Sequence, residues 1–143
     1  MVKVKHRKGK RLVNIFLTIY CLWKSFFVKK IVLCFSENSK YDINNQYQWN
    51  KIIGRGSLNY DFKSNQHKES RMIVWRYNKK LNVFQIAEYK RKNYIFVYNI
   101  VSNLKVNQKA EFVCKFRGIK PLAFYFGGQD KPNKDIEYLI RFK

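Results

Sequence analysis

The sequence predicts a mainly β chain, an antiparallel β-sandwich or jelly-roll-like fold, with one N-terminal helix. Short aromatic and β-branched runs recur after Arg71, with turn residues between them. Aromatic residues make up 17% of the chain, and they favour pleated, half-buried surfaces. The helix is predicted because no Pro or Gly interrupts the apolar residues between Lys10 and Ser36. We therefore divide the chain into an N-terminal segment (1–36), a polar linker (37–48) and a sandwich domain (49–143).

The N-terminal segment is basic at first and then apolar. It holds nine Lys or Arg and no Asp or Glu, with apolar runs over Leu12–Trp23 and Phe26–Phe35. This order is typical of a secretory signal or a membrane anchor. However, Lys24, Lys29 and Lys30 interrupt a span that needs about 20 apolar residues, and no small-residue cleavage site follows. The alternatives are an amphipathic helix on a membrane or partner and a helix packed on the domain.

The middle of the chain changes to polar residues and then to glycines. The stretch "ENSKYDINNQYQ" (Glu37–Gln48) is rich in Asn and predicts a linker or long loop. Gly54 and Gly56 stand one residue apart and predict a tight turn. A phosphate-binding loop has a third glycine and a helix that follows it. The sequence shows neither here, which argues against a nucleotide site.

The second half of the chain predicts six strands. In the second of them, apolar residues alternate so that Phe84 and Ile86 share one face and Gln85 and Ala87 the other. Asn, Lys and Gly residues separate the runs, which favours antiparallel connections. The six runs are "RMIVWRYN", "LNVFQIAEYK", "YIFVYNIV", "AEFVCKFR", "LAFYF" and "DIEYLIRF".

Two stretches resemble a group of short β-rich proteins. They are "HKESRMIVWRYN" (His67–Asn78) and "FYFGGQDKPNKDI" (Phe124–Ile136), and the likeness extends over roughly Tyr47 to Lys143. The chain is similar there to mostly uncharacterised proteins of Bacteroidetes-type bacteria and their phages. The resemblance implies a compact sandwich on a cell envelope or virion, and it implies no catalytic residues.

The formal net charge of +21 predicts attraction to polyanions such as nucleic acid, acidic glycans or an anionic membrane. A/T-rich codons, which encode the abundant Lys, Asn, Ile, Tyr and Phe, are the alternative explanation. The densest basic and aromatic cluster of the second half is "YKRKNY" (Tyr89–Tyr94), as expected of a single-strand binder or of a solvated hairpin tip. The candidate polyanion-binding residues are Lys3, Lys5, Arg7, Lys8, Lys10, Arg11, Lys90, Arg91 and Lys92.

The closing loop offers a second, smaller candidate site. Gly127 and Gly128 most simply provide a turn between two strands. A ligand that approached their backbone could also stack on Tyr125 and bond to Asp130, as a glycan would. We keep these four residues as a candidate ligand loop.

Groups suited to catalysis or metal binding are sparse. The two histidines, His6 and His67, and the cysteines Cys21, Cys34 and Cys114 show no catalytic or metal-ligand spacing. We predict no catalytic residues, no metal and no cofactor. Cys114 is expected to be a buried thiol, with a Cys34–Cys114 bridge as the alternative in an exported chain.

These observations predict a non-enzymatic interaction or structural protein, targeted or tethered by its N-terminal segment. We expect the protein to bind a protein partner or a membrane surface. We expect it to be located at a cell envelope, exported from the cell or on a virion. The alternative is a basic, cytoplasmic nucleic-acid-binding protein within a larger particle. A glycan-binding module is the third hypothesis.

Overall fold

Four strands of the chain form one antiparallel sheet. In a computed structural model, residues 1–8, 15–25, 27–42, 49–56, 60–61, 63, 66–115, 123–124 and 134–143 are described. The strands of this four-stranded sheet lie in the order β1-β11-β2-β9. Their bounds are β1 Val2–His6, β2 Lys30–Phe35, β9 Lys109–Val113 and β11 Ile136–Phe142.

Five further strands form a second antiparallel sheet, in the order β10-β3-β6-β7-β8. Long hairpins join β6 to β7 and β7 to β8, and β7 is paired along its whole length on both sides. The strands are β3 Asn50–Gly56, β6 Ser70–Asn78, β7 Val83–Lys92, β8 Ile95–Leu104 and β10 Ala123–Phe124. The remaining elements are the helix α1 Ile15–Ser25, a 3₁₀ turn at Glu37–Ser39, and the short pair β4 Tyr60–Asp61 and β5 Gln66–His67.

The two sheets bury one aromatic core between them, consistent with the predicted sandwich. Phe35 of the four-stranded sheet lies with its ring centroid 4.7 Å from Trp75 and 4.8 Å from Phe84 of the five-stranded sheet. All three side chains are buried. Tyr41 belongs to the same core. Its hydroxyl accepts hydrogen bonds from the Tyr77 backbone N–H (3.1 Å) and from Asn50 Nδ2 (3.0 Å). Close packing of large rings accounts for much of the stability of such a core.

The N-terminal part of the predicted fold class is wrong. The first 36 residues contribute two strands, β1 and β2, to the four-stranded sheet, and in the described part of this segment α1 covers eleven residues. Ile31 and Leu33 are fully buried against the core, while Val32 on the opposite face is also buried. A strand buried on both faces has a continuous apolar sequence, which periodicity alone does not distinguish from a helix.

The strands predicted after Arg71 are confirmed within the described residues, although 116–117 of the run "AEFVCKFR" and 122, 125 and 126 of the run "LAFYF" lie outside them. The predicted tight turn at Gly54 is wrong. Gly54 and Gly56 both lie in strand β3. Gly54 is opposite Met72, and a Cβ at Gly54 would lie 2.5 Å from the Arg71 carbonyl oxygen and overlap the Met72 side chain. The glycine is therefore explained by close strand packing and not by a turn.

A second apolar cluster covers the outer face of the five-stranded sheet. Trp49 lies over this face, and the Arg76 guanidinium carbon is 4.2 Å from the centroid of a Trp49 ring. Alternation along β6 and β7 brings the remaining members to this side. They are Met72, Val74, Ala87 and Tyr89.

Candidate interaction surface

The β7–β8 hairpin carries the largest exposed apolar surface of the strands that the structure describes. Its second strand, β8, lies at the edge of the five-stranded sheet, with β7 as its one neighbour among the described strands. Neighbouring residues of a strand point to opposite faces of the sheet. Because successive residues of β8 are exposed, both faces of the sheet are open to solvent along this strand. The exposed side chains are Ile95, Phe96, Val97, Tyr98, Ile100 and Val101.

A tight two-residue turn sets the register of this hairpin. Lys92 pairs with Ile95, and the two residues between them, Asn93 and Tyr94, have φ angles of 51° and 65°. Two successive positive φ values are characteristic of the type I′ turn, whose twist matches that of a hairpin. The Tyr94 N–H also donates to the Lys68 carbonyl oxygen over 3.1 Å, which ties the tip to the bend between β5 and β6.

The three hairpin cations predicted to bind polyanions lie in different surroundings. Arg91 is half-buried, with its guanidinium carbon 5.6 Å from the ring centroid of Tyr89 and 5.7 Å from that of Phe96. Those two rings stack on each other at 5.5 Å, and Arg91 also donates a hydrogen bond to the Tyr89 hydroxyl. Arg91 therefore supports an aromatic pair, while Lys90 and Lys92 are exposed.

Lys90 belongs to a row of cations on the sandwich-facing side of the five-stranded sheet. The strand register places Arg71 opposite Lys90, and Arg55 opposite Arg71. Lys115, in the chain after β9, lines the same cavity as Arg71 and Lys90 and is therefore close to them.

The sequence predicted Lys90 but not its three neighbours. The hairpin turn near Lys79 could have indicated Arg71, since the turn sets the register between β6 and β7.

The N-terminal candidates are partly neutralised by carboxylates of strand β11 and its approach. Lys3 Nζ is 3.6 Å from Glu137 Oε1, and Lys5 Nζ is 3.9 Å from Asp135 Oδ2. The Lys8 backbone N–H donates to Asp135 Oδ1 over 2.8 Å. Arg7 follows directly after β1 in the described part. Lys10 and Arg11 lie outside the described residues, as do the loop candidates Tyr125, Gly127, Gly128 and Asp130.

One buried group, His6, was not expected to be where the structure places it. His6, assigned to a basic tail by the sequence, is buried in β1 with its ring centroid 6.4 Å from that of Tyr138. Burial lowers the pKa of His6 to about 4. Within the described residues its Nε2 atom has no hydrogen-bond partner.

Cys34 and Cys114 are both free thiols, so the bridge considered between them is not formed. Cys34 is buried and pairs with Lys109, whereas Cys114 lies just beyond β9, where its N–H donates to the Lys29 carbonyl oxygen. Burial raises the pKa of the Cys114 thiol to about 12, and the positive charge of Arg55 opposes this rise. Arg55 is therefore close enough to Cys114 to influence its ionisation.

The helix α1 presents apolar side chains to solvent. Ile15, Ile19 and Trp23 follow one another at four-residue intervals and are all more than half exposed, so they form one stripe. Lys24 Nζ lies 5.1 Å from the centroid of a Trp23 ring. Across the described ranges, no helix is long and apolar enough to cross a bilayer. The same ranges hold no cluster of three His, Cys, Asp or Glu residues suited to a metal ion.

Comparisons of the chain with protein-family models, with curated proteins and with solved structures found no match.

Proposed function

We propose that this chain is a non-enzymatic interaction protein that assembles with a second copy of itself through strand β8. The observation that carries the proposal is the composition of this edge strand. Its ten residues, "IFVYNIVSNL", include no charged residue, in a chain that has 30 Lys and Arg. Soluble proteins usually protect an exposed edge with lysine, proline or a short strand, and β8 has none of these protections.

An edge strand offers backbone groups that a further strand can pair with, and exposed apolar side chains add to the affinity. Antiparallel pairing of two β8 strands about Asn99 would place Tyr98 opposite Ile100 of the second copy. The same register would place Val97 opposite Val101. Apolar cross-strand pairs of this kind stabilise a sheet, and an isologous contact closes as a dimer.

Charge opposes contact between two copies, and it opposes contact at β8 least. Two molecules with a net charge of +21 each repel one another over most of their surfaces. Contact through an uncharged strand minimises that repulsion where the molecules are closest. The resulting sheet would be continuous across the dimer, with five strands from each copy.

The test is the mass of the full-length protein in solution, measured by light scattering over a range of concentrations. We expect twice the chain mass for the wild type and the chain mass for Val97→Lys. The matched control is Leu81→Lys, because Leu81 (62% exposed) is about as exposed as Val97 (67%) but lies in the β6–β7 turn. A wild type that stays monomeric, or a Leu81→Lys variant that dissociates equally, would refute the proposal.

A second candidate function is suggested by the exposed stripe of α1. We propose that Ile15, Ile19 and Trp23 lie on an anionic membrane surface, where apolar residues enter the interface and the net charge of +21 is attracted to the headgroups. Such a contact would tether the protein to an envelope without crossing it.

Co-sedimentation with vesicles tests this second candidate. We expect binding to vesicles of phosphatidylserine and phosphatidylcholine, little binding to phosphatidylcholine alone, and loss of binding in Ile19→Ser/Trp23→Ser. Leu81→Ser is the control for removing an exposed apolar side chain elsewhere. Equal binding by the double variant would show that charge alone, and not α1, attracts the protein to the lipid.

A further inference from the structure

One end of the sandwich concentrates cations around a small cavity. Arg71, Lys90 and Lys115 line it, together with a single carboxylate, Glu88. Arg71 and Lys90 are directly opposite each other on neighbouring strands, and Arg55 continues the row on β3. The cluster therefore joins three strands of one sheet to the chain that leaves β9 of the other sheet.

This arrangement costs stability unless a negative charge is nearby. Like charges directly opposite each other on a sheet are destabilising. Among the described residues, Arg71, Lys90 and Lys115 form no ion pair with a carboxylate, in contrast to Lys3, Lys30 and Lys143 on the four-stranded sheet. Glu88 offsets only part of the charge, since it is one carboxylate against three lining cations.

Arg55, which is opposite Arg71, also acts on a neighbouring thiol. The positive charge of Arg55 lowers the Cys114 pKa against the effect of burial, and Cys114 directly precedes Lys115. Arg71 of β6, Lys90 of β7 and Lys115 after β9 line one cavity, so these three cations are close enough to act together on one anion.

We propose that this cavity binds a single phosphoryl group, either as free phosphate or as the terminal phosphate of a nucleic-acid strand. The cavity volume of about 40 Å³ is about three times the roughly 10–15 Å³ that a cavity needs to hold one water. It therefore suits a compact oxyanion and is too small for a nucleoside. Arginine supplies the planar fork that matches phosphate oxygens, and lysine supplies a point charge.

The carboxylate of Glu88 gives a test in which a variant gains affinity. Replacing Glu88 by Gln removes the negative charge that competes with the ligand, so Glu88→Gln should bind inorganic phosphate more tightly than the wild type does. Lys90→Gln/Lys115→Gln should bind it about tenfold more weakly, because each charge-assisted hydrogen bond contributes strongly. Lys80→Gln, an exposed lysine in the β6–β7 turn, is the control for loss of charge alone and should change affinity little.

We would measure binding of the full chain by titration calorimetry at constant ionic strength. Inorganic phosphate is one ligand, and a 5′-phosphorylated single strand and its dephosphorylated form are the others. Phosphate binding with the expected order of variants would support a free-anion site. The same order seen only with the phosphorylated strand would support a strand terminus as the source.

The result that overturns the proposal is binding that is absent, or that changes equally in Lys80→Gln and Lys90→Gln/Lys115→Gln. Reduced affinity in Glu88→Gln would overturn it as well. The dimerisation of β8 is a separate matter, because the cavity is lined by residues outside that strand. A monomeric protein could therefore still bind phosphate.

Discussion

At the scale of single residues, the buried imidazole of His6 makes stability depend on pH. Its pKa is about 4 in the folded chain against an ordinary value of 6.5. Between these values the unfolded chain takes up a proton that the folded chain does not, so stability falls as pH decreases. The contribution is fully present above about pH 6.5 and is lost towards pH 4, and we expect a loss of about 2 kcal/mol between pH 7 and pH 5.

Urea unfolding of the wild type and of His6→Leu at both pH values measures this effect. The leucine variant keeps an apolar side chain beside Tyr138 and cannot titrate, so its stability should change less between pH 7 and pH 5. Carboxylates such as Glu111, whose pKa is lowered by hydrogen bonds from Lys143 and Lys30, titrate in both proteins and cancel in the comparison. Equal pH dependence in both proteins would contradict the assignment.

Gly54 is a second residue whose role is steric. A side chain there meets Met72 and, at 2.5 Å, the carbonyl oxygen of Arg71. Because the second contact is with the backbone, the neighbouring strand itself would have to move. Gly54→Ala should therefore destabilise the protein by about 2 kcal/mol, measured by urea unfolding.

A double-variant cycle separates the two contacts of Gly54. Introducing Gly54→Ala into a Met72→Ala background removes the side-chain overlap but leaves the Arg71 carbonyl in place. Most of the destabilisation should persist there. A neutral effect of Gly54→Ala in either background would show that β3 and β6 can separate without cost.

At the scale of elements, the sequence predicted the hairpins well and the N-terminal strands poorly. Period-two alternation and turn residues both marked β7, where Phe84 and Ile86 are buried in the main core as expected. In β2, Ile31 to Phe35 are buried on both faces, so the alternation that identifies a half-buried strand is absent. The strand β1 reads as a basic tail, because Lys3 and Lys5 are the solvent-facing half of an alternating pattern.

The candidate sites were predictable only where their residues are near in sequence. Lys90 stands in a local basic cluster, which composition alone reveals. Arg71, Arg55 and Lys115 approach it through strand pairing and through the packing of one sheet on the other. Such contacts depend on register and long-range topology, which a single sequence specifies weakly.

Strand β1 should contribute to stability as part of the fold. Val4 is fully buried, and β1 pairs with β11 from Val2 to His6. Val4→Ala should lower the free energy of unfolding by about 2 kcal/mol, through lost burial and the space left behind. Val113→Ala is the matched control, because Val113 is 51% exposed at the end of β9, and its effect should be within about 0.5 kcal/mol.

Denaturant unfolding of Val4→Ala and Val113→Ala tests whether the fold needs strand β1 for its stability. If Val4→Ala is as mild as Val113→Ala, the first strand is dispensable and the four-stranded sheet is stable without it. A selective loss in Val4→Ala would instead show that trimming the first residues destabilises the domain.

At the scale of the whole molecule, acids and bases are unevenly distributed. Glu111 binds both Lys30 (3.1 Å) and Lys143 (2.7 Å) on the four-stranded sheet. Glu137 lies beside Lys3 on the same sheet. Arg71, Lys90 and Lys115 form no such ion pair within the described residues. This asymmetry agrees with the anion site that we propose at the cavity bordered by Arg71 and Lys90, away from the paired lysines.

The net charge also sets how stability responds to salt. Exposed ion pairs such as Glu111–Lys143 contribute little to stability, whereas repulsion among charges that sum to +21 acts over the whole surface. Raising NaCl from about 10 mM to about 150 mM shortens the Debye length from roughly 30 Å to roughly 8 Å. Salt should weaken the repulsion among the many like charges more than the attraction within the ion pairs. We therefore expect Tm to rise by about 4 °C, equivalent to about 1 kcal/mol of unfolding free energy.

The variant Glu111→Gln tests the origin of this salt effect. It removes one acid and two ion pairs, so repulsion increases and attraction decreases. Its Tm should therefore rise more steeply with NaCl than that of the wild type, at one fixed protein concentration so that dimerisation contributes equally. A wild-type Tm that falls with NaCl would mean that the ion pairs of the four-stranded sheet outweigh the repulsion.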